Sequence, residues 1–235
     1  METLGAKLLK AIYDQDINSL DELLKTNTLS VNSQDDDRKS ITIWATILGY
    51  TEIVQFLLEN DADVNHQDND GCTALIYASL EGHIDIVEIL LNYGADVNHQ
   101  DNDGCTALIY ASKMNHSNII ELLISNGGDI NTKDCKNRTA VQWSLIFGNN
   151  SDATIILIKS GANIEEEDED GETILIKAIK TRSLEIIDAL VFVGANLNVK
   201  IEDNISALKL ARTRQTEYRK IADKLEQFGA LVLPD

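Results

Sequence analysis

Apolar positions along the chain alternate between two rhythms. A block such as Thr73-Ala74-Leu75-Ile76-Tyr77-Ala78 is almost continuously apolar, and after it Ile86, Val87, Leu90 and Leu91 stand at i, i+1, i+4 and i+5. The second spacing puts four apolar side chains on one face of a helix. The first reads as a short helix, N-capped by Thr73 and ended by Gly82 in the left-handed region. Gly94 ends the second helix, and Asp68 to Gly71 makes a turn ahead of the pair, with Gly71 free to take positive φ. No segment carries strand-type alternation. The predicted order is turn, short helix, tight turn, second helix, loop, in an all-α chain.

This order repeats. Residues Ala62 to Ser79 and Ala95 to Ser112 both read ADVNHQDNDGCTALIYAS, at an offset of 33 residues. At the phase of Thr73 the chain carries SITIWA, TALIYA, TALIYA, TAVQWS, TILIKA and SALKLA, with steps of 33, 33, 33, 34 and 33. Seven units follow: 1–34, 35–67, 68–100, 101–133, 134–167, 168–200 and 201–235. Units 1–34 and 201–235 depart from the pattern and read as capping units around five repeats over 35–200. One helix pair cannot bury its apolar face alone, whereas stacked pairs share a continuous core, so an elongated monomeric solenoid is expected.

The run DNDGCTALIYA followed by EGHIDIVEILLNYGADVN closely resembles the ankyrin repeat, and the resemblance covers essentially the whole chain. The family's threonine-proline-leucine-histidine core stands here as Thr73-Ala74-Leu75-Ile76. Proline and histidine are missing from that core in every unit, and the only proline is Pro234. Losing the histidine removes a hydrogen bond that the family uses to tie turn to helix, which predicts looser turns. The resemblance implies a concave binding surface made of turn tips and first helices.

Departures between units mark weak points. Arg38, Asn137 and Asn204 stand in the slot of Gly71, Gly104 and Gly171, and Asp61 in the slot of Gly94. Thr42 takes the slot of Leu75 and Leu108, which sends a hydroxyl toward the core. Three departures fall in unit two, so the array is expected to open from its N-terminal end. The one extra residue, within Asn149 to Ala153, should swell the loop between the helices of unit five.

Charge narrows the partners. With 20 Lys and Arg against 39 Asp and Glu, the net charge is −19. Such a chain repels nucleic acid and anionic membranes and favours a basic protein partner. Glu165, Glu166, Glu167, Asp168, Glu169, Asp170 and Glu172 form one dense acidic run. The N-terminus has no signal-type apolar stretch and no long apolar run exists, so a cytoplasmic protein is expected.

Catalytic and metal chemistry find little support. His66, His83, His99 and His116 are two repeat-related pairs, so duplication accounts for their positions. His66, Cys72, His99 and Cys105 match no tight zinc spacing. A calcium loop around Glu166, Asp168, Asp170 and Gly171 lacks its last carboxylate, since Lys177 stands there. No phosphate-binding glycine loop or nucleophile elbow appears. Cys72 and Cys105 are equivalent positions in adjacent units, about 8–10 Å apart and too far for an unstrained disulfide, and these two and Cys135 are expected as free thiols. No cofactor, metal or catalytic residue is assigned.

The binding face is more informative. Its tips carry Asp36, Asp37, Asn69, Asp70, Asn102, Asp103, Cys135, Lys136, Arg138, Glu169 and Asp170. Its first helices carry Ile47, Leu48, Leu80, Glu81, Lys113, Met114, Ile146 and Phe147. Trp44, Tyr77, Tyr110 and Trp143 occupy one position in four consecutive units, a ladder that Lys177 and Leu210 then break. Such rings either pack between units or anchor a partner. The expected function is non-catalytic protein–protein binding through this groove. The alternatives are an inhibitor that neutralises a basic enzyme or toxin and, less well supported, a metal-binding or enzymatic protein.

Overall fold

The computed structural model describes residues 10, 12–26, 30–146, 151–168, 170–200, 205–213 and 218–230. Over these residues the chain is helical. Helix α1 (Ile17–Lys25) precedes six pairs: α2 (Ile41–Ile47) with α3 (Thr51–Glu59), α4 (Ala74–Glu81) with α5 (Ile84–Asn92), α6 (Ala107–Lys113) with α7 (Ser117–Ser125), α8 (Ala140–Ile146) with α9 (Ser151–Lys159), α10 (Ile174–Thr181) with α11 (Leu184–Phe192), and α12 (Ala207–Thr213) with α13 (Arg219–Gln227). Among the described residues, extended pairing is limited to isolated antiparallel bridges, Gln34 with Ser40 and Lys200 with Ser206. The fold class is therefore the all-α repeat solenoid.

The chain divides into two compact units: an N-terminal unit of Met1–Ala111 with Ser125–Gly128, and a C-terminal unit of Ser112–Ile124 with Asp129–Asp235. Inside the N-terminal unit α2 packs on α3 and α4, α4 on α5, and α3 on α5. Inside the C-terminal unit α8 packs on α9 and α10, α9 on α11, α10 on α11 and α12, and α12 on α13. First helices thus pack on first helices and second on second, as a stack of repeats requires.

Local chemistry sets the helix bounds. The amides of Ile43, Ile76 and Ile109 donate to Ser40 Oγ, Thr73 Oγ1 and Thr106 Oγ1 at 3.2, 3.4 and 3.3 Å, capping α2, α4 and α6. Helix α4 runs three residues past Ala78 to Glu81 before Gly82 stops it at φ +83°. In α5, Ile86, Val87 and Leu90 are fully buried, while Leu91 lies at the edge of the core. Arg38, Asp61 and Asn137 take φ of +60°, +63° and +59°, the conformation their glycine-slot positions call for, and Thr42 is buried at 2% exposure. Asn204 and the loop at 147–150 lie outside the described residues.

One repeat departs from the rest inside its core. Helices α8 and α9 bury Gln142, Ser144 and Thr154. Ser144 Oγ donates to the Val141 carbonyl at 2.8 Å and so accepts from Thr154 Oγ1, also at 2.8 Å. Gln142 Oε1 accepts from the Thr139 amide at 2.9 Å, but its Nε2 has no partner.

Candidate functional site

The turns before α2, α4, α6, α8 and α10 are each built around one aspartate. Asp68 Oδ1 accepts from the amides of Asp70 and Cys72, both at 2.9 Å, and folds the turn about itself. Its second oxygen accepts from the Tyr77 hydroxyl at 2.7 Å, which ties the turn to α4. The same construction recurs with Tyr110 on Asp101 at 2.8 Å, and with Trp44 Nε1 on Asp35 and Trp143 Nε1 on Asp134, both at 2.9 Å. In the next repeat Lys177 forms an ion pair with Asp168. Each donor lies nine residues after its carboxylate.

This geometry corrects the reading of the aromatic ladder. The slot selects a donor that can reach the turn carboxylate, and Lys177 continues the series instead of breaking it. Leu210 ends it, and the residue nine positions earlier is Ile201, so acceptor and donor are lost together. The polar ends of Trp44, Tyr77, Tyr110 and Trp143 are engaged inside the protein, while their ring bodies stay partly exposed. The expectation of looser turns is corrected as well, because each of these turns has a side-chain tie to its helix.

Asp68 and Asp134 are buried, and they and Asp168 are held in the charged form. Burial works to raise the pKa of Asp68, but the Tyr77 hydroxyl, the Cys72 and Asp70 amides and Lys39 together outweigh it, so the net shift is downward. Asp134 is also lowered against the effect of burial, by Arg138, Trp143 and the Lys136 amide, and Asp168 by Lys177 and the Glu172 and Asp170 amides. The Tyr77 hydroxyl is pushed upward by burial and by the Asp68 carboxylate, so it donates throughout the physiological range. Burial, with Asp101 close by, pushes the Cys72 thiol up to about 12, leaving an inert free thiol. Cys105 is a buried free thiol and Cys135 an exposed one.

The histidines at this site are structural. His66 Nε2–H donates to the Arg38 carbonyl at 2.7 Å, and His99 Nε2–H to the Gly71 carbonyl at 2.8 Å. Each reaches back to the left-handed residue of the preceding turn. Among the described residues, no group of three or more His, Cys, Asp or Glu is arranged to hold a metal ion.

The tips are bonded to one another. Asn69 N–H donates to the Asp37 carbonyl and Asn102 N–H to the Asp70 carbonyl, both at 3.0 Å, and Asn102 Nδ2 adds a bond to the Asn69 carbonyl at 3.0 Å. The side chains of Asp36, Asp37, Asp70 and Asp103 are left on the exposed edge. In the C-terminal unit Lys136 is exposed, while Arg138 pairs with Asp134 at 2.8 Å.

On the first helices of the N-terminal unit, Ile47, Leu48 and Leu80 are half-buried and Glu81 is exposed. In the C-terminal unit Met114 and Ile146 stand out at 47% and 43% exposure. Beside them the Trp143 ring carries Arg138 at 4.0 Å and Lys113 at 5.1 Å from its centroid. Phe147 and Glu169 lie outside the described residues.

The dense acidic run is partly consumed by the fold. Glu165 Oε1 accepts from the Asn196 amide at 2.8 Å, as Asn131 Oδ1 does from Asn163 in the preceding repeat. Glu166 pairs with Lys133, Asp168 with Lys177 and Glu172 with Lys180. Glu167 and Asp170 stay exposed. Sequence reasoning missed three features: the role of the turn aspartates, the buried Gln142, and the exposed Phe192, at 82%.

Helix pairs joined by self-bonded turns, with partly exposed first helices, define a helical repeat protein. A family model for ankyrin repeats (three copies) matches residues 8–101, 69–134 and 108–201, which is more than half of the chain, and the protein belongs to the ankyrin repeat family. Ankyrin repeats are generally protein–protein interaction modules, and the family is typically non-catalytic. No curated protein matches the chain. Within the described residues no helix is long and apolar enough to cross a membrane. Gln142 occupies the family's histidine slot, and its bond to the Thr139 amide is a second way of tying that helix to its turn.

Proposed function

We propose that the chain binds a basic protein partner through the surface of its first helices and turn tips, without catalysis. The observation that carries this reading is the exposure of Met114, one residue past α6, and of Ile146, the last residue of α8, in consecutive repeats whose Trp143 ring is flanked by two cations. Apolar side chains so placed gain most from being covered. In the N-terminal unit the corresponding contact area is Ile47, Leu48, Leu80 and Glu81 with the acidic tips. The net charge of −19 supports a basic partner and adds long-range attraction to the encounter. The four ladder rings contribute face and edge contacts only, since their hydrogen-bonding atoms are already engaged.

Affinity capture with wild-type protein, Met114→Asp/Ile146→Asp and Asp70→Lys/Asp103→Lys tests the proposal. A basic protein retained by wild type should be lost with the first variant and weakened by salt or by the second. Retention that is equal for all three proteins would contradict the reading. Loss of the partner's own activity on binding would identify the protein as an inhibitor of a basic enzyme or toxin, whereas simultaneous retention of two partners would identify it as an adaptor.

A further inference from the structure

The fold leaves two buried polar atoms of the C-terminal unit without protein partners in consecutive repeats. The first is on Gln142 of α8, which stands in the slot of Ile43, Ile76, Ile109 and Ile176. All five side chains are buried, Gln142 to 2% exposure. Gln142 Oε1 accepts from the Thr139 amide at 2.9 Å, which holds the amide head at the level of the N-cap of α8. Its Nε2 then carries two hydrogens into the core with no protein acceptor.

The second is on the next repeat. Helix α10 packs on α8, and its N-cap is Thr173, 5% exposed. In the same slot Ser40, Thr73, Thr106 and Ser206 each accept from the amide three residues on, at 3.2–3.4 Å. Thr173 makes no such bond, and its Oγ1 has no protein partner. Thr139 does not bond its helix amide either, since its hydroxyl goes to Gln142 Oε1 at 3.4 Å. The two caps that depart from the pattern are thus the one before Gln142 and the one after it. Equivalent residues face each other in stacked repeats, so an amide head at the N-cap level of α8 faces the N-cap of α10.

We propose that this seam binds one water molecule, which accepts from Gln142 Nε2 and bonds Thr173 Oγ1. A buried amide hydrogen and a buried hydroxyl are both costly to leave unpaired, and one shared water satisfies both. A dry seam calls for an apolar side chain in the slot, which the four isoleucines supply elsewhere. The hydroxyl of Thr173 gives up its cap because the water competes for it. Here the two repeats are joined through a group that exchanges with solvent, in place of a side-chain contact.

The test is a crystal structure of the full chain at a resolution that shows ordered water, with Gln142→Ile and Thr173→Val beside wild type. Wild type should show one water at about 2.7–3.2 Å from both Gln142 Nε2 and Thr173 Oγ1. Both variants should lose it, and in Gln142→Ile the Thr173 hydroxyl should turn to the Ile176 amide, as its equivalents do in other repeats. Magnetic relaxation dispersion of water in solution gives an independent count, and each variant should hold one long-lived internal water fewer than wild type. The proposal is overturned by a wild-type seam without water, by Gln142 Nε2 bonded directly to a protein acceptor, or by a water that stays in both variants. It is also overturned by equal counts of internal water in all three proteins.

Discussion

Helices α4 and α5 bury Leu75, Ile76, Ala78, Ile86 and Val87; at the same five slots α8 and α9 bury Val141, Gln142, Ser144, Ala153 and Thr154. Both repeats have the same turn, the same carboxylate-to-ring bond and the same helix order. What differs is where the apolar surface has gone. The repeat at 68–100 keeps the apolar side chains of its first helix buried or half-buried and exposes Ile84 and Tyr93, at 37% and 43%, on its second helix and that helix's C-cap. The repeat at 134–167 has less apolar volume and more polar atoms inside, and shows Ile146 at 43% exposure outside. Because repeat stability is close to a sum of unit and interface terms, the second repeat should be the weaker. The comparison indicates that turn architecture and core packing vary independently in this chain, and that apolar surface has moved toward the face proposed to bind.

The largest effects should come from what the two repeats share. Asp68→Ala and Asp134→Ala should each cost about 3 kcal/mol or more, because both leave ring donors and turn amides buried without an acceptor. Urea unfolding measures this, and a loss below about 1 kcal/mol would show that the carboxylate does not hold the turn. The same groups set the acid limit. Their folded pKa values are lowered, so their contribution is complete above the unfolded aspartate value of about 3.9 and is lost as pH falls through the lower folded value. Asp68→Asn and Asp134→Asn should flatten the fall of stability in that window, as read by denaturant midpoints at stepped pH.

Next in size is a substitution that gives one repeat the other's core. Ile86→Ala places in α5 the residue that α9 already has at Ala153, and should cost about 2–5 kcal/mol through the cavity it opens. A near-neutral result would mean that the slot collapses freely and that the two cores are energetically alike.

A smaller effect probes the polar core directly. Ser144→Ala removes one hydrogen-bond partner of the Thr154 hydroxyl and should cost about 1 kcal/mol. The double variant Ser144→Ala/Thr154→Val removes both partners, recreates the Ala78/Val87 pairing of the other repeat and should recover most of that loss. Equal losses in the single and double variants would remove the hydroxyl pair from the account.

The repeat period, helix pairs, N-caps and left-handed slots were legible in the sequence, because each depends on residue type at a fixed spacing. The turn tie was equally regular but hidden by chemistry. Tyr, Trp and Lys share an N–H or O–H donor, not a side-chain class, so in the sequence a series of donors looks like a ladder of rings. Gln142 was legible from its alignment with Ile76, yet the burial of an amide in that slot shows only in the packing. Phe192 stands in a slot that is polar in the four repeats before it, and its exposure shows only in the structure. Opening from the N-terminal end was expected from Arg38, Thr42 and Asp61. Their backbone and burial are as anticipated, but each is a single accommodated substitution, whereas Gln142, Ser144, Thr154 and Ala153 all weaken one core.

Native-state hydrogen exchange of the free protein tests this contrast most directly. Helices α8 and α9 should open by a lower-energy route than α4 and α5, with faster amide exchange along α8 and α9 at a denaturant concentration well below global unfolding. Equal protection of the two helix pairs, or earlier exchange in α4 and α5, would contradict the claim that the repeat at 134–167 trades core stability for an apolar face.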